Sequence, residues 1–315
     1  MQYVELGKTG IIVSRLCFGG LVIGPLQANL GVLEGAEVII KAMELGVNFI
    51  DTAELYGTYP HIREAISKTA SVPVVATKSY AYSRDSAVRS LEKARRELDL
   101  DVIDVFLMHE QESRLTLKGH REALEYYMEA KVKGLIRAVG VSTHNIEVVE
   151  AAAGMPEVDI IHPIVNKSGV GIGDGTIDDM LKAIGRAWGQ GKGIYAMKAL
   201  GGGNLLNSFK ECMDFVLGVP YLHSIALGMQ SMDEVIMNVC AFNQQPVPVE
   251  VTDRLSGKRK RLHIDYWCEG CGRCVERCSH NALEIKEGKA AAEQSKCVLC
   301  GYCGSVCPQF AIKIC

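Results

Sequence analysis

Two groups of residues in this 315-residue chain have types and spacings that can do chemistry. The first is a doubled cysteine run, Cys268-x2-Cys271-x2-Cys274-x3-Cys278 and Cys297-x2-Cys300-x2-Cys303-x3-Cys307. Three thiolates at such intervals wrap one face of an iron–sulfur cube, while the fourth is turned away and ligates the other cube. One 4Fe-4S cluster is therefore expected on Cys268, Cys271, Cys274 and Cys307, and a second on Cys297, Cys300, Cys303 and Cys278. Zinc needs four ligands in pairs and leaves the third cysteine of each run unexplained. Disulfides suit a small secreted domain. The opening Met1-Gln2-Tyr3-Val4-Glu5 lacks the basic segment and apolar run of a secretory signal.

The second group is Asp51, Tyr56, Lys78 and His109, each at or just beyond the end of a strand-like run. The runs are Arg15-Phe18, Asn48-Asp51, Val74-Lys78, Val102-His109, Ile136-Val141, Ile160-Ile164, Ile194-Lys198 and Leu222-Leu227, with helix-length periodic segments between them. Eight such units in about 230 residues predict an α/β fold, a (β/α)8 TIM barrel, with chemistry at the C-terminal ends of its strands. Asp51, Tyr56, Lys78 and His109 then share one mouth. Lys78 is expected to lower the pKa of Tyr56 while Asp51 holds the lysine, and His109 to orient a carbonyl oxygen. The segment Tyr3–Val13 reads as a hairpin around a Gly-Lys-Thr-Gly turn, placed to cap the barrel floor.

Two resemblances sharpen this. The cysteine run resembles bacterial two-cluster ferredoxins, with Pro308 after the last cysteine and Ser279 where the first repeat would have its proline. Residues 1–243 resemble the aldo-keto reductase family through Gly46-Val47-Asn48-Phe49-Ile50-Asp51-Thr52-Ala53-Glu54-Leu55-Tyr56-Gly57, Ala76-Thr77-Lys78, Asp104-Val105-Phe106-Leu107-Met108-His109 and Gly134-Leu135-Ile136-Arg137-Ala138-Val139-Gly140-Val141-Ser142. This second resemblance implies that Tyr56 is the general acid, Lys78 and Asp51 tune it, His109 positions a small carbonyl substrate, and NAD or NADP supplies hydride. It also implies cofactor contacts from Ser142, His162, Asn166, Met197 and Lys198, from Gly201 and Gly202 after the seventh strand, and from Gly228, Gln230 and Ser231 after the eighth. Glycines let backbone approach a pyrophosphate closely. Ser231 and Glu234 have the spacing of a capping box, whose helix start offers N–H groups to an anion. Three departures stand out. The strand-eight loop has no Lys or Arg for a 2′-phosphate, Met197 and Lys198 stand where the family has an aromatic, and His162 replaces a glutamine. These favour NAD or a weak preference.

The remaining sequence bounds the picture. With 48% hydrophobic and 23% charged residues, a large core is expected. A formal charge of -3 predicts no nucleic-acid footprint. No apolar run approaches the roughly 18 residues of a membrane span, which points to a cytoplasmic protein. Residues 244–262, with Pro246, Pro248 and Lys258-Arg259-Lys260-Arg261, read as a linker to a small α+β ferredoxin-like domain at 263–315. Gly169-Val170-Gly171-Ile172-Gly173 lacks dinucleotide spacing and reads as a rim loop. Cys17, Cys212 and Cys240 read as core residues, His144 as either a helix-start or a mouth residue, and Cys315 has no assignment. A cluster passes one electron and a nicotinamide two. Three functions stay open: a carbonyl reductase with clusters, an enzyme linked to a ferredoxin or other electron carrier through a mediator such as a flavin, for which no motif appears, and a noncatalytic redox sensor.

Overall fold

Short apolar runs form the eight parallel strands because both faces of each are covered, which removes the polar alternation of a half-exposed strand. The computed structural model describes residues 1–257 and 260–315, so Lys258 and Arg259 of the basic run lie outside the described residues. An antiparallel hairpin, β1 (Tyr3–Glu5) and β2 (Ile12–Ser14), precedes the barrel. The barrel strands are β3 (Leu16–Gly19), β4 (Phe49–Asp51), β5 (Val74–Ser79), β6 (Ile103–Gln111), β7 (Ile136–Thr143), β8 (Ile160–Pro163), β9 (Gly193–Met197) and β10 (Ser224–Gly228). They pair in chain order, and β10 closes onto β3. All eight expected strands are present, with ends shifted by up to two residues.

Alternate side chains divide two cores. Cys17, Phe49, Ala76, Val105, Leu107, Ala138, Ile160, Tyr195 and Ala226 fill the barrel, and Leu6, Ile11 and Val13 of the hairpin join that same cluster. The hairpin therefore plugs the floor, as expected. Gly7 makes this possible: its φ is +66°, and a Cβ there would overlap the Gly193 backbone at the start of β9. Outward residues such as Phe18, Ile50, Val75 and Phe106 pack against the surrounding helices. Side chains at several helix starts accept from the third helical N–H, as Ser83 does from Ser86 and Thr176 from Asp179.

The expected linker is not extended throughout. Pro248 caps a helix, Val249–Ser256, that buries Val251 and ties Arg254 to Asp233 on the last barrel helix at 2.7 Å. Beyond it, β11 (Leu262–Ile264) pairs with β14 (Ile312–Ile314), and β12 (Leu283–Lys286) with β13 (Lys289–Ala292), all antiparallel. Two short helices, Arg273–Arg277 and Tyr302–Ser305, complete this small domain around Leu262, Leu283, Ala290, Ile312 and Ile314.

The small domain sits on the barrel mouth, seated on the loop after β9. Asn204 Nδ2 donates to the Ile312 carbonyl at 3.0 Å. A Cβ on Gly202 would meet Lys313 and Phe310, one on Gly203 the Ile314 backbone, and one on Gly171 the Phe310 ring. The rim glycines thus admit the other domain. Gly203→Val should lose roughly 1–3 kcal/mol more than Gly134→Val, measured by chemical denaturation. Both glycines have positive φ, but a Cβ at Gly134 enters open space, so the difference isolates the seam.

Candidate active site and cluster centre

Asp51 ends β4 inside the barrel, where its carboxylate must be matched by donors. Lys78 of β5 donates to both oxygens, at 2.7 and 2.8 Å, and to the Thr52 carbonyl at 2.8 Å. Tyr195 of β9 donates to Asp51 Oδ1 at 2.8 Å. Sequence reasoning missed Tyr195, although it lies two residues before Met197 and so on the same face of the strand. The Tyr195 ring stacks on His162 with centroids 3.8 Å apart. His162 Nδ1 donates to the Tyr195 carbonyl at 2.5 Å, and its Nε2 lies 3.7 Å from Asp51 Oδ1. Burial pushes the His162 pKa down to about 4, leaving the ring neutral.

Tyr56 ends a 3-10 turn, Glu54–Tyr56, closed by Gly57 in left-handed conformation. Its ring centroid is 5.0 Å from Lys78 Nζ. The expected lowering of its pKa is absent. Burial raises it well above the usual phenol value, with Asp51, Glu110 and Tyr80 adding to the rise. The reason is that the Lys78 hydrogen bonds go to Asp51 and Thr52, leaving only its field for the phenol.

A cavity of about 310 Å³ runs from Asp51, Tyr56 and His162 past Met197 and Lys198 to Gly228, Gln230 and Asn238. His109 does not line it. Its ring meets the Tyr56 edge at 5.7 Å and lies under Tyr80 at 4.4 Å, with Nδ1 buried and unpartnered. Tyr80, unforeseen in the sequence, is held by Glu110 at 2.5 Å. Burial, then Lys78 and Lys198, lower the His109 pKa well below its usual value.

The expected cofactor contacts divide. His162, Met197, Lys198, Gly202, Gly228 and Gln230 line the cavity, whereas Ser142, Asn166, Gly201 and Ser231 do not. Ser142 Oγ accepts the Glu110 N–H at 2.8 Å, and Asn166 makes two hydrogen bonds with the Val170 backbone. Each braces a loop. A Cβ on Gly201 would meet Leu205, so that glycine serves the turn. The capping box is half formed: Ser231 Oγ accepts from Glu234 N, but the Glu234 carboxylate takes the Gln230 N–H at 2.7 Å. An acid thus stands where an anion was expected. Asn238, buried with an unpartnered Oδ1, and Lys260 also line the cavity. So do Lys313, Ile314 and Cys315 from the small domain. Their long sequence separation hid them. Cys17 and Cys212 are buried and Cys240 half-buried, while His144 sits in the seam outside the cavity wall.

The cluster cysteines converge as two sets. Cys278 of the first run joins Cys297, Cys300 and Cys303 around one small void. Cys274 is raised by burial first and then by Cys307, Cys268 and Cys271, which lie beside it. Backbone N–H groups point at the sulfurs, Ala311 at Cys307 (3.3 Å), Ala282 at Cys278 and Ala290 at Cys268 (3.4 Å each). Such donors stabilise ligating thiolates. Among the described residues, no three His, Cys, Asp or Glu groups are placed to hold a single metal ion. Four thiols in each set, with backbone N–H donors aimed at three of the sulfurs, have the donor chemistry that would hold an iron–sulfur cube.

Comparison with known proteins follows this division. A family model for the aldo/keto reductase family matches residues 15–215, and one for a 4Fe-4S dicluster domain matches residues 267–312. Aldo-keto reductase YhdN of Bacillus subtilis is 26% identical over 183 residues, 53% of this chain and 54% of that protein. The chain spans about half the length of the curated relatives it matches. The holo aldo-keto reductase AKR11C1 of Bacillus halodurans superposes with a TM-score of 0.63 at 19% identity, over 81% of this chain and 95% of that one. Bombyx mori aldo-keto reductase AKR2E4, in complex with NADP, gives 0.60 at 16% identity, over 81% and 90%. At these identities the two structures speak for the fold. No described helix is long and apolar enough to cross a membrane.

Breaking the buried pair at Asp51 should be costly. Lys78→Met is expected to lose about 3–5 kcal/mol in chemical denaturation, because it strands a carboxylate. The Asp51→Leu, Lys78→Met double variant should recover much of that loss.

Proposed function

The chain belongs to the aldo/keto reductase family and carries a 4Fe-4S dicluster domain, and on that premise we propose that it reduces an aldehyde or ketone with a nicotinamide dinucleotide while two clusters exchange electrons at the same mouth. The observation that carries this reading is the shared wall: Lys313, Ile314 and Cys315 of the small domain line the cavity with Tyr56 and Asp51. Bound along that cavity, the dinucleotide would supply hydride to the carbonyl carbon. The clusters, on Cys268, Cys271, Cys274, Cys307 and on Cys297, Cys300, Cys303, Cys278, would supply or take single electrons. Direct exchange between the two needs a group that handles electrons both singly and in pairs, a flavin for example, and an outside ferredoxin could then be the partner.

The chain's own residues account for the proton. Tyr56, held as a neutral phenol, gives it to the carbonyl oxygen, and Lys78 lies close enough to offset the phenolate charge left behind. Asp51 fixes Lys78. His109 packs against the edge of Tyr56 and under Tyr80. At the far end of the cavity, Glu234 repels a 2′-phosphate while Lys260 attracts one, so no strong preference for NADPH is expected.

Tyr56→Phe tests the reading. Turnover of an aldehyde probe such as 4-nitrobenzaldehyde should fall by roughly 10²–10⁴-fold while titrated NADH and NADPH affinities hold. Unchanged turnover would move the acid elsewhere. Anaerobically reconstituted protein should carry about eight iron and eight acid-labile sulfide per chain. A stable value near four, or stoichiometric zinc, would remove one or both clusters.

A further inference from the structure

Three residues that are not glycine hold left-handed backbone where the small domain meets the barrel: Glu110 (φ 49°), Lys198 (φ 60°) and Phe310 (φ 49°). Such backbone persists only where its surroundings fix it, and it concentrates at functional places. The side chains converge. Lys198 Nζ lies 4.3 Å from the Phe310 ring centroid and Lys313 Nζ 3.7 Å, so one ring carries two ammonium groups. Lys313 is buried and Lys198 half-buried.

Counter-charge in the seam is short. Lys313 has Asp265 at 3.5 Å, but Asp265 is shared with His263 at 3.2 Å. The hydrogen-bond partner of Lys198 is His144 Nε2 at 2.7 Å, an imidazole that burial and then Lys198 itself keep neutral. Glu110 stands beyond that imidazole, 3.7 Å from His144 Nδ1 and partly in water. Burial, then the Lys313 charge, lowers the Lys198 amine to about 7, while burial, opposed by Asp265, lowers that of Lys313 to about 8.

Phe310 is also tied to an expected cluster ligand. The Phe310 N–H donates to the Cys307 carbonyl at 3.1 Å, and the next N–H, of Ala311, points at Cys307 Sγ. An iron–sulfur cluster gains a negative charge on reduction, so a fixed positive charge beside it favours the reduced form. The other cysteine set has Arg277 and His280 at its rim, but both are exposed, where water and salt screen them.

We propose that Lys198 and Lys313 form a positive field that raises the reduction potential of the cluster anchored by Cys307 above that of its neighbour, so that an electron comes to rest beside the barrel mouth. The proposal rests on the cluster reading above. Half of the field belongs to the barrel, since Lys198 follows β9, so the full field exists only while the domains are docked.

The test is an anaerobic redox titration of the reconstituted holoprotein, followed by electron paramagnetic resonance at pH 6, where both amines are protonated. Lys198→Met lies outside the cysteine-bearing domain and should load clusters normally, as iron content will show. One of the two cluster signals should move to lower potential by at least tenfold in the electron's distribution, about 59 mV for a one-electron couple. The other should stay, and Lys198→Arg should keep the original value. Lys313→Met should move the same signal in the same direction. No movement, an upward shift, or equal movement of both signals would overturn the proposal. Failure of the electron-transfer reading looks different: two reduced clusters per chain would not reoxidise on adding the aldehyde probe together with NAD+ and a flavin mediator, whatever their potentials.

Discussion

A carboxylate in a dry barrel has to be neutralised where it stands, and the arrangement of the mouth follows from how Asp51 is neutralised. Its two oxygens collect Lys78 from the adjacent strand and Tyr195 from the far side of the barrel. Both donors are thereby fixed. Tyr195 in turn offers its ring to His162 and its carbonyl to the same imidazole, which fixes His162 in place, while burial keeps it neutral. Tyr56, reached through a tight turn, is left with the lysine's field but without its hydrogen bonds. The phenol stays protonated, which is the state the proposed general acid needs at rest.

The second constraint is the seat of the small domain. A glycine loop after the seventh barrel strand can bring backbone close to whatever lies above it. Here its neighbours are Phe310, Lys313 and Ile314 as well as the cavity. The docking surface and the ligand cavity therefore share a wall. A segment that looked like a simple tether contributes too, because its helix packs on the last barrel helix and Lys260 reaches the cavity. Two lysines meeting at one aromatic ring are hard to explain by packing alone, since each loses hydration and repels the other.

Much of this was legible in the chain itself. Continuous apolar runs separated by helix-length segments can only bury both faces of each strand in a covered parallel sheet, so the barrel and the strand-end positions of Asp51, Lys78 and His109 followed from local pattern. Spacing led to the expectation of two crossed cysteine sets, and the fold brings Cys278 beside Cys297, Cys300 and Cys303. What the pattern could not contain were contacts between residues far apart in sequence. Tyr195 is 144 positions from the carboxylate it serves, Tyr80 covers a histidine from a neighbouring strand, and the carboxylate of Glu234 chose the Gln230 amide over the one a capping box prescribes. Glycine spacing announced a close approach but not what approaches, and only the docked fold decided that it was the last strand of the cluster-bearing domain. Sequence determines which groups are present and how neighbouring ones face. Which charges are buried together depends on closure of the barrel and the docking of one domain on another, since burial is a property of the whole fold.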